Sequence, residues 1–226
     1  MSVECTVISI GTLSMNRLWG ENIPVRASHA TTTLVSAADR RILVDPSLPA
    51  AAMEARFHER TGRHLADVTD VFCTTLRPVH RRSLEALPKA RWWANPAEID
   101  AFRQQLQTSE ESHRRLGGEQ AHLIEMELRL LDHIKPCPDE LAAGVQLFPL
   151  PGASAGSAGL LVTSPTTAVL IAGDAALTAE HVQRGQVWEG CADAQAALES
   201  LQEMLEIADV IVPGHDNLML MAGRLF

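Results

Sequence analysis

Hydrophobic and polar positions along the chain fall into blocks that predict strands and helices in turn. An apolar run at 5–10 predicts a strand, and residues 31–47 hold two β-rich runs around the polar turn AADRR, which predict a hairpin. Residues 49–62 have a proline near the start, strong helix formers inside and a glycine at the end, which are the signals of a helix. Further strands are predicted at 67–75 and 90–96.

The second half of the chain repeats the order of the first. Residues 97–134 have apolar positions three or four apart, which predicts helix with an interruption near 116–118. The elements beyond are a strand, a hairpin, a helix and a final strand with its turn, at 145–150, 158–174, 193–208 and 209–216. Such a repeat indicates two similar β/α layers packed sheet to sheet, with helices outside.

The composition is that of a globular protein. A chain of 226 residues can form one large domain or two small ones, and 46% hydrophobic with 21% charged residues are ordinary proportions for a buried core. No linker rich in Pro, Gly and Ser divides the chain. We therefore predict a single domain over residues 1–226.

Charge and cysteine usage argue against several classes of partner. Nineteen basic and 28 acidic residues give a net charge of −9, so no basic surface for nucleic acid or anionic membrane is evident. The four cysteines are widely spaced without a C-x-x-C pair, and no signal segment or membrane-length apolar run is visible. We expect a reduced, cytoplasmic protein that binds neither nucleic acid nor membrane, and homo-oligomerisation stays open.

Five stretches place polar residues directly after apolar strands. They are ILVDPS (42–47), VFCTTLRPVHRRSLEALP (71–88), PLPGASAGSAGLL (149–161), VLIAGDA (169–175) and VIVPGHD (210–216). Their order resembles that of the metallo-β-lactamase superfamily, over roughly residues 5–217. The resemblance implies an α/β (α+β) fold: a four-layer αββα sandwich of two mixed β-sheets flanked by helices, with a metal site at one edge of the sheets.

The resemblance also shows where this chain departs from the family. In the family's H-x-H-x-D-H motif, Thr75 and Arg77 stand in place of two histidines, Val79 stands in place of the aspartate, and His80 is kept. A further histidine of the family is replaced by Ala153. The motif of this chain is therefore degenerate.

Three ligands of one metal remain. The resemblance implies that the first of two metals keeps only Asp174, one ligand of four, whereas the second keeps His80, Asp174 and His215, three of four. Two imidazoles and a carboxylate suffice for a catalytic ion, and the set suits zinc, iron or manganese. Such an ion would activate water against an ester, lactone or phosphoester. Asp45 and Thr75, placed as the resemblance implies, would support the ligands from behind.

Arginine 77 gives the sequence a second interpretation. Arg77 puts a permanent cation where the first metal would lie, and a guanidinium can bind the carboxylate of Asp174 through two hydrogen bonds. One hypothesis is a hydrolase with at most one metal, in which Arg77 steadies negative charge on a small anionic substrate. The alternative is a metal-free, inactive relative that binds a small anion or a protein partner through Arg77, Arg81 and Arg82. Arg81 and Arg82 also fit a simple solvated surface.

Overall fold

The computed structural model of the protein describes residues 3–114 and 119–221, and in this part of the chain the strands form two six-stranded sheets. The first sheet contains β1 to β6 in spatial order, at Val3–Ser9, Thr32–Ala37, Arg40–Val44, Asp70–Cys73, Arg91–Ala94 and Ile134–Pro136. Strands β1 to β3 are antiparallel, and β3 to β6 run parallel to one another. The sheet is therefore mixed.

The second sheet is also mixed. Its strands β7 to β12 lie in spatial order at Glu140–Ala142, Val145–Pro149, Ala158–Thr163, Ala168–Gly173, Val210–Pro213 and Met219–Leu220. Only β10 and β11 are parallel, and the other neighbours are antiparallel.

Helices cover the outer faces of both sheets. They are α1 to α5, at Ala50–Thr61, Pro96–Arg114, Glu119–Leu131, Ala179–Gln183 and Ala194–Ile207. Short 3-10 turns lie in the connections, at Arg17–Trp19, Leu65–Asp67, Pro78–His80 and Leu84–Ala86. None of the helices within the described ranges is long and apolar enough to cross a membrane.

The layers follow from the alternation of side chains along the strands. In β3, Leu43 packs on the helix side with Met53 and Phe57 of α1, whereas Ile42 and Val44 face the second sheet. Burying each of these side chains contributes roughly 1.5–3 kcal/mol. A third apolar cluster lies between the second sheet and helices α4 and α5. Three apolar interfaces separate four layers, as the sequence predicts.

The predicted internal repeat is present in the topology. The hairpin of β2 and β3 is followed by α1 and by β4, which pairs parallel with β3. The hairpin of β9 and β10 is followed by α4, α5 and β11, which pairs parallel with β10. Because parallel strands end on the same edge, each pair delivers two loops to one edge of its sheet.

Several short elements were not predicted. They are β6, β7, β12 and α4, each of two to five residues. The first three are edge strands of two or three residues, which is too short to show the apolar alternation of the central strands. The predicted helix interruption at 116–118 lies outside the described residues.

Candidate metal centre

Asp45 lies where β3 stops, and its carboxylate is 1% exposed. The residue has a φ of 50°, in the left-handed region that side chains seldom occupy. Its Oδ1 accepts a hydrogen bond from the amide of Thr74 at 2.9 Å, and its Oδ2 accepts one from the hydroxyl of Thr74 at 2.6 Å. The carboxylate thereby holds the loop that follows β4.

His80 closes the turn Pro78–His80 and is fully buried. Its Nδ1 lies 2.9 Å from Oδ2 of Asp45. An ionised carboxylate can only accept hydrogen bonds, so Nδ1 carries a proton and donates it. The other ring nitrogen, Nε2, lies 3.1 Å from Oδ1 of Asp174.

His215 follows β11, and its ring is held in the same way. Its amide donates to the carbonyl of Leu177 at 2.9 Å. Its Nδ1 lies 2.9 Å from the carbonyl oxygen of His29 and 3.2 Å from that of Thr12, and carbonyl oxygens can only accept. Nδ1 is therefore the donor, and Nε2 lies 3.2 Å from Oδ1 of Asp174.

Asp174 follows β10 at a point where two chain segments approach closely. Gly173 has a φ of 54°, and a Cβ at this position would collide with the side chain of Thr74. A Cβ on Gly214 would lie 2.7 Å from the carbonyl carbon of Gly173, whose oxygen accepts the amide of Gly214 at 3.0 Å. These glycines let Asp174 and His215 lie side by side.

The three side chains present ligand atoms to one point. The nearest ring nitrogens and carboxylate oxygen of His80, Asp174 and His215 all lie within 4.8 Å of one another. Around a tetrahedral zinc with bonds of roughly 2.0–2.2 Å, ligand atoms are roughly 3.3–3.6 Å apart, close to the 3.1 and 3.2 Å that separate Oδ1 of Asp174 from the two Nε2 atoms. Among the described residues, Nε2 of His80 and Oδ1 of Asp174 are buried and have no hydrogen-bond partner outside the cluster. The residues present therefore fit a divalent ion.

The charges of the cluster act on one another. Burial lowers the pKa of His80, but the carboxylates of Asp174 and Asp45 outweigh burial and raise this pKa to about 10. Burial also opposes ionisation of Asp174, but the imidazoles of His80 and His215 hold the pKa of Asp174 well below its usual range. A lone pair facing an anionic oxygen is repulsive, so the cluster needs either a proton or a metal cation between these atoms.

Arg77 binds the other oxygen of Asp174. Its Nη1 donates to Oδ2 of Asp174 at 2.7 Å, and its Nη2 donates to the carbonyl of Ala153 at 2.5 Å. The guanidinium also lies over the ring of Trp188, with its carbon 4.1 Å from the centroid. The structure thus places the cation of Arg77 beside the carboxylate, with Asp174 presenting Oδ1 to the histidines and Oδ2 to the arginine.

Thr75 belongs to a separate network around a buried glutamate. Its hydroxyl donates to Oε1 of Glu98 at 2.8 Å, and the same oxygen accepts the amide of Leu76 at 2.9 Å. Oε2 accepts the hydroxyl of Ser154 at 2.6 Å and the amide of Gly156 at 3.2 Å. Thr75 therefore ties two loops together through Glu98 instead of touching the three ligand side chains.

Arg81 and Arg82 are not brought to the cluster. The Nε of Arg81 donates to the carbonyl of Leu76 at 2.7 Å, and its Nη2 pairs with Glu127 at 2.5 Å. Arg81 is 7% exposed, and its ion pair with Glu127 joins the loop to α3. Arg82 is exposed.

Two residues of this region were missed from the sequence. Glu98 is the third residue of α2, where an acidic side chain is a common helix-start signal, so nothing distinguished it. Trp188 lies in a loop between α4 and α5 and carries no motif. The roles of Glu98 and Trp188 are evident only from their contacts with Thr75, Leu76 and Arg77 in the folded chain.

Solved structures share this architecture at low sequence identity. A Thermotoga maritima protein assigned as a metallo-beta-lactamase superposes with a TM-score of 0.70 and 16% identity, over 97% of this chain and 100% of that chain. The dizinc quorum-quenching lactonase AidC gives a TM-score of 0.66 and 15% identity, over 84% of this chain and 74% of its own. An AiiA variant from B. thuringiensis gives 0.60 and 20%, over 91% and 87%.

No protein-family model matches the chain, and no curated protein matches it in sequence. The likenesses therefore rest on shape, at identities of 15 to 20%. They agree with the two mixed sheets and the flanking helices. The chain has the αββα fold of the metallo-β-lactamase superfamily.

Proposed function

We propose that the protein is a hydrolase that uses one divalent metal ion, held by His80, Asp174 and His215. The observation that carries the proposal is the convergence of two buried imidazole Nε2 atoms on one carboxylate oxygen, at 3.1 and 3.2 Å. Each ring has its Nδ1 tied to an acceptor, which leaves Nε2 to face the shared point. Zinc, iron and manganese are all compatible with this donor set.

A bound ion of this kind polarises a carbonyl or phosphoryl oxygen and lowers the pKa of water. The chain supplies the remaining functions. Asp45 fixes the tautomer of His80, and Arg77 binds Oδ2 of Asp174 so that Oδ1 stays with the histidines. With neutral imidazoles, the two carboxylates and the one guanidinium leave a net charge of about −1, which favours a divalent cation.

The substrate class proposed is an ester, lactone or phosphoester. The support comes from structural relatives named as lactonases and as a hydrolase of the beta-lactamase superfamily. A dinuclear mechanism is not proposed, because Arg77 places its own positive charge against Oδ2 of Asp174.

A metal-free binding protein is the second candidate. It is favoured by the pKa of His80 near 10, since an imidazolium between Asp45 and Asp174 satisfies the cluster without a metal. The anion site envisaged for this candidate has few free charges, however. Arg77 is paired with Asp174 and Arg81 with Glu127.

The test is the metal content of untagged protein, measured by elemental mass spectrometry before and after incubation with Zn²⁺, Mn²⁺ and Fe²⁺. We expect about one equivalent per chain, lost in His215→Ala and in the triple alanine variant of the three ligands. The matched control is His181→Ala, a buried histidine outside the cluster, which should keep its metal. Absence of metal under every condition would eliminate the hydrolase and favour the binding protein. Metal uptake would justify a screen of esters, lactones and phosphodiesters.

A further inference from the structure

A cavity of about 510 Å³ lies beside the cluster, between the segment 13–18 and the loop 185–189. Its volume is within the range of roughly 300–1,000 Å³ that is usual for small-molecule sites. Seven apolar side chains line it, those of Leu13, Met15, Leu18, Leu177, Val187, Trp188 and Leu198. The cavity can therefore take an apolar group of a small molecule.

One polar side chain of the cavity wall, that of His181, can donate a hydrogen bond to a ligand. His181 lines the cavity and is 8% exposed. Burial lowers the pKa of His181, which favours the neutral form of its ring. Thr178 Oγ1 accepts the amide of His181 at 3.3 Å and lies 2.7 Å from its Nδ1. Since the threonine hydroxyl can donate to Nδ1, the ring proton is placed on Nε2, where it can serve one acceptor.

The charges at the rim neutralise one another. Arg17 pairs with Glu189 at 3.0 Å, and the indole of Trp19 donates to Glu180 at 2.8 Å. Both contacts join the segment that covers the cavity to the opposite wall. Among the described residues that line this cavity, Arg17 and Glu189 are the charged pair, so the site offers no net charge to an ionic ligand.

Two walls of the cavity touch the metal cluster. Trp188 lies under the guanidinium of Arg77, and the carbonyl of Leu177 accepts the amide of His215. A smaller cavity of about 110 Å³ shares Leu13 with the larger one and is lined by His215. The larger cavity therefore adjoins the cluster through Leu177 and, by way of Arg77, through Trp188.

We propose that this cavity binds an uncharged small molecule through an alkyl or acyl group, with one hydrogen-bond acceptor placed on His181. That the molecule is the substrate of the cluster, an apolar ester or lactone, rests on the proposed function. The binding site itself does not, since none of its contacts requires a metal.

The probe is 2-octanone, an uncharged, non-hydrolysable ketone with one acceptor, titrated into chelator-treated and zinc-loaded protein by calorimetry. Octanoate, which has a similar chain with a negative charge, is the comparison ligand. We expect saturable binding of 2-octanone and at least tenfold weaker binding of octanoate. Equal binding of the two would overturn the assignment to an uncharged ligand, and no binding of 2-octanone would overturn the site.

Two variants locate the binding. Leu198→Glu places a charge in the wall at a residue that is 36% exposed, and it should weaken 2-octanone binding at least tenfold. Leu123→Glu is the matched control on α3, where the leucine is 54% exposed, and its binding should be unchanged. His181→Phe, which removes the donor, should weaken binding about three- to tenfold. Equal affinities in the two glutamate variants would exclude this cavity.

Chelator treatment separates this proposal from the proposed function. Metal-free wild-type protein should bind 2-octanone with unchanged affinity. If wild-type protein takes up no metal but binds the ketone, the hydrolase fails and the cavity stands. If metal is bound and the ketone is not, the cavity fails and the metal site stands.

Discussion

Replacing Arg77 with methionine removes a cation from beside Asp174 while keeping an apolar chain against Trp188. The lost contacts are the 2.7 Å ion pair to Asp174 and the hydrogen bond to the carbonyl of Ala153. Breaking a fully buried pair costs about 3–5 kcal/mol. The side chain of Asp174 is 4% exposed, but that of Arg77 is 28% exposed, so solvent screens part of the pair. We expect metal-free Arg77→Met to be about 2–3 kcal/mol less stable than wild type.

Zinc should reverse part of this loss. Removing a positive charge beside the ligands strengthens binding of a divalent cation, and we expect a zinc affinity at least tenfold higher in the variant. With zinc in excess, a tenfold tighter Kd adds about 1.4 kcal/mol of stability, because the ion binds the folded state. The variant should therefore gain more from zinc than wild type gains.

The assay is unfolding in urea, in chelator and in excess zinc, with metal content measured on the same samples. Arg56→Met is the matched control, since Arg56 pairs with Glu59 on the exposed face of α1, and its loss should be within about 1 kcal/mol. A metal-free Arg77→Met protein as stable as Arg56→Met would refute the pairing of a buried carboxylate. Equal stabilisation of wild type and Arg77→Met by zinc would refute the location of the cation beside the metal.

Three further predictions concern the carboxylates that support the fold and the cluster. Asp45→Asn should weaken zinc binding about 10- to 100-fold in calorimetry, because His80 loses its charged acceptor; an unchanged Kd would contradict this role. Glu98→Gln should destabilise the protein by about 1–3 kcal/mol in urea and leave zinc affinity unchanged, because the four donors around Glu98 are structural. Burial opposes ionisation of Asp70, but hydrogen bonds from Arg40, Trp93 and Thr69 outweigh it and lower the pKa of Asp70 below its ordinary value of 3.8. The stabilisation from Asp70 is therefore complete above that value and is lost as pH falls below it. The difference in unfolding free energy between wild type and Asp70→Asn should be constant from about pH 5 to 8 and should become smaller below about pH 4. A difference that stays constant in acid would rule out the ionised pair.

Most of the fold was predictable because the central strands have a strong apolar signal. The run at 42–44 alternates between a helix-facing and a sheet-facing side chain, and the halves repeat one order of elements. The edge strands β6, β7 and β12 escaped prediction because two or three residues are too few to show an alternation of apolar and polar positions. Helix α4 escaped because five residues contain too little periodicity, and its start depends on the cap by Thr178.

The candidate site was predictable only as a set of residues. The resemblance indicated His80, Asp174 and His215, and the structure brings these three together. The tautomers of the rings could not be predicted, because they depend on Asp45 and on carbonyls from a segment about 186 residues away. The ion pair of Arg81 could not be predicted either, because its partner Glu127 lies on a helix that is distant in sequence.

Three of the four positions that depart from the family's motif, all except Val79, are connected to one another, and this bears on how the site works. Arg77 joins Asp174 to the carbonyl of Ala153, and the next residue, Ser154, binds the glutamate that also holds Thr75. Independent losses of ligands would leave buried polar groups without partners, which costs about 1–3 kcal/mol each. Here the polar replacements instead pair with groups of the same region. These contacts are what the proposed single-metal hydrolase requires, with Arg77 as a fixed cation beside Asp174, and they favour it over a two-metal enzyme that has lost its ligands.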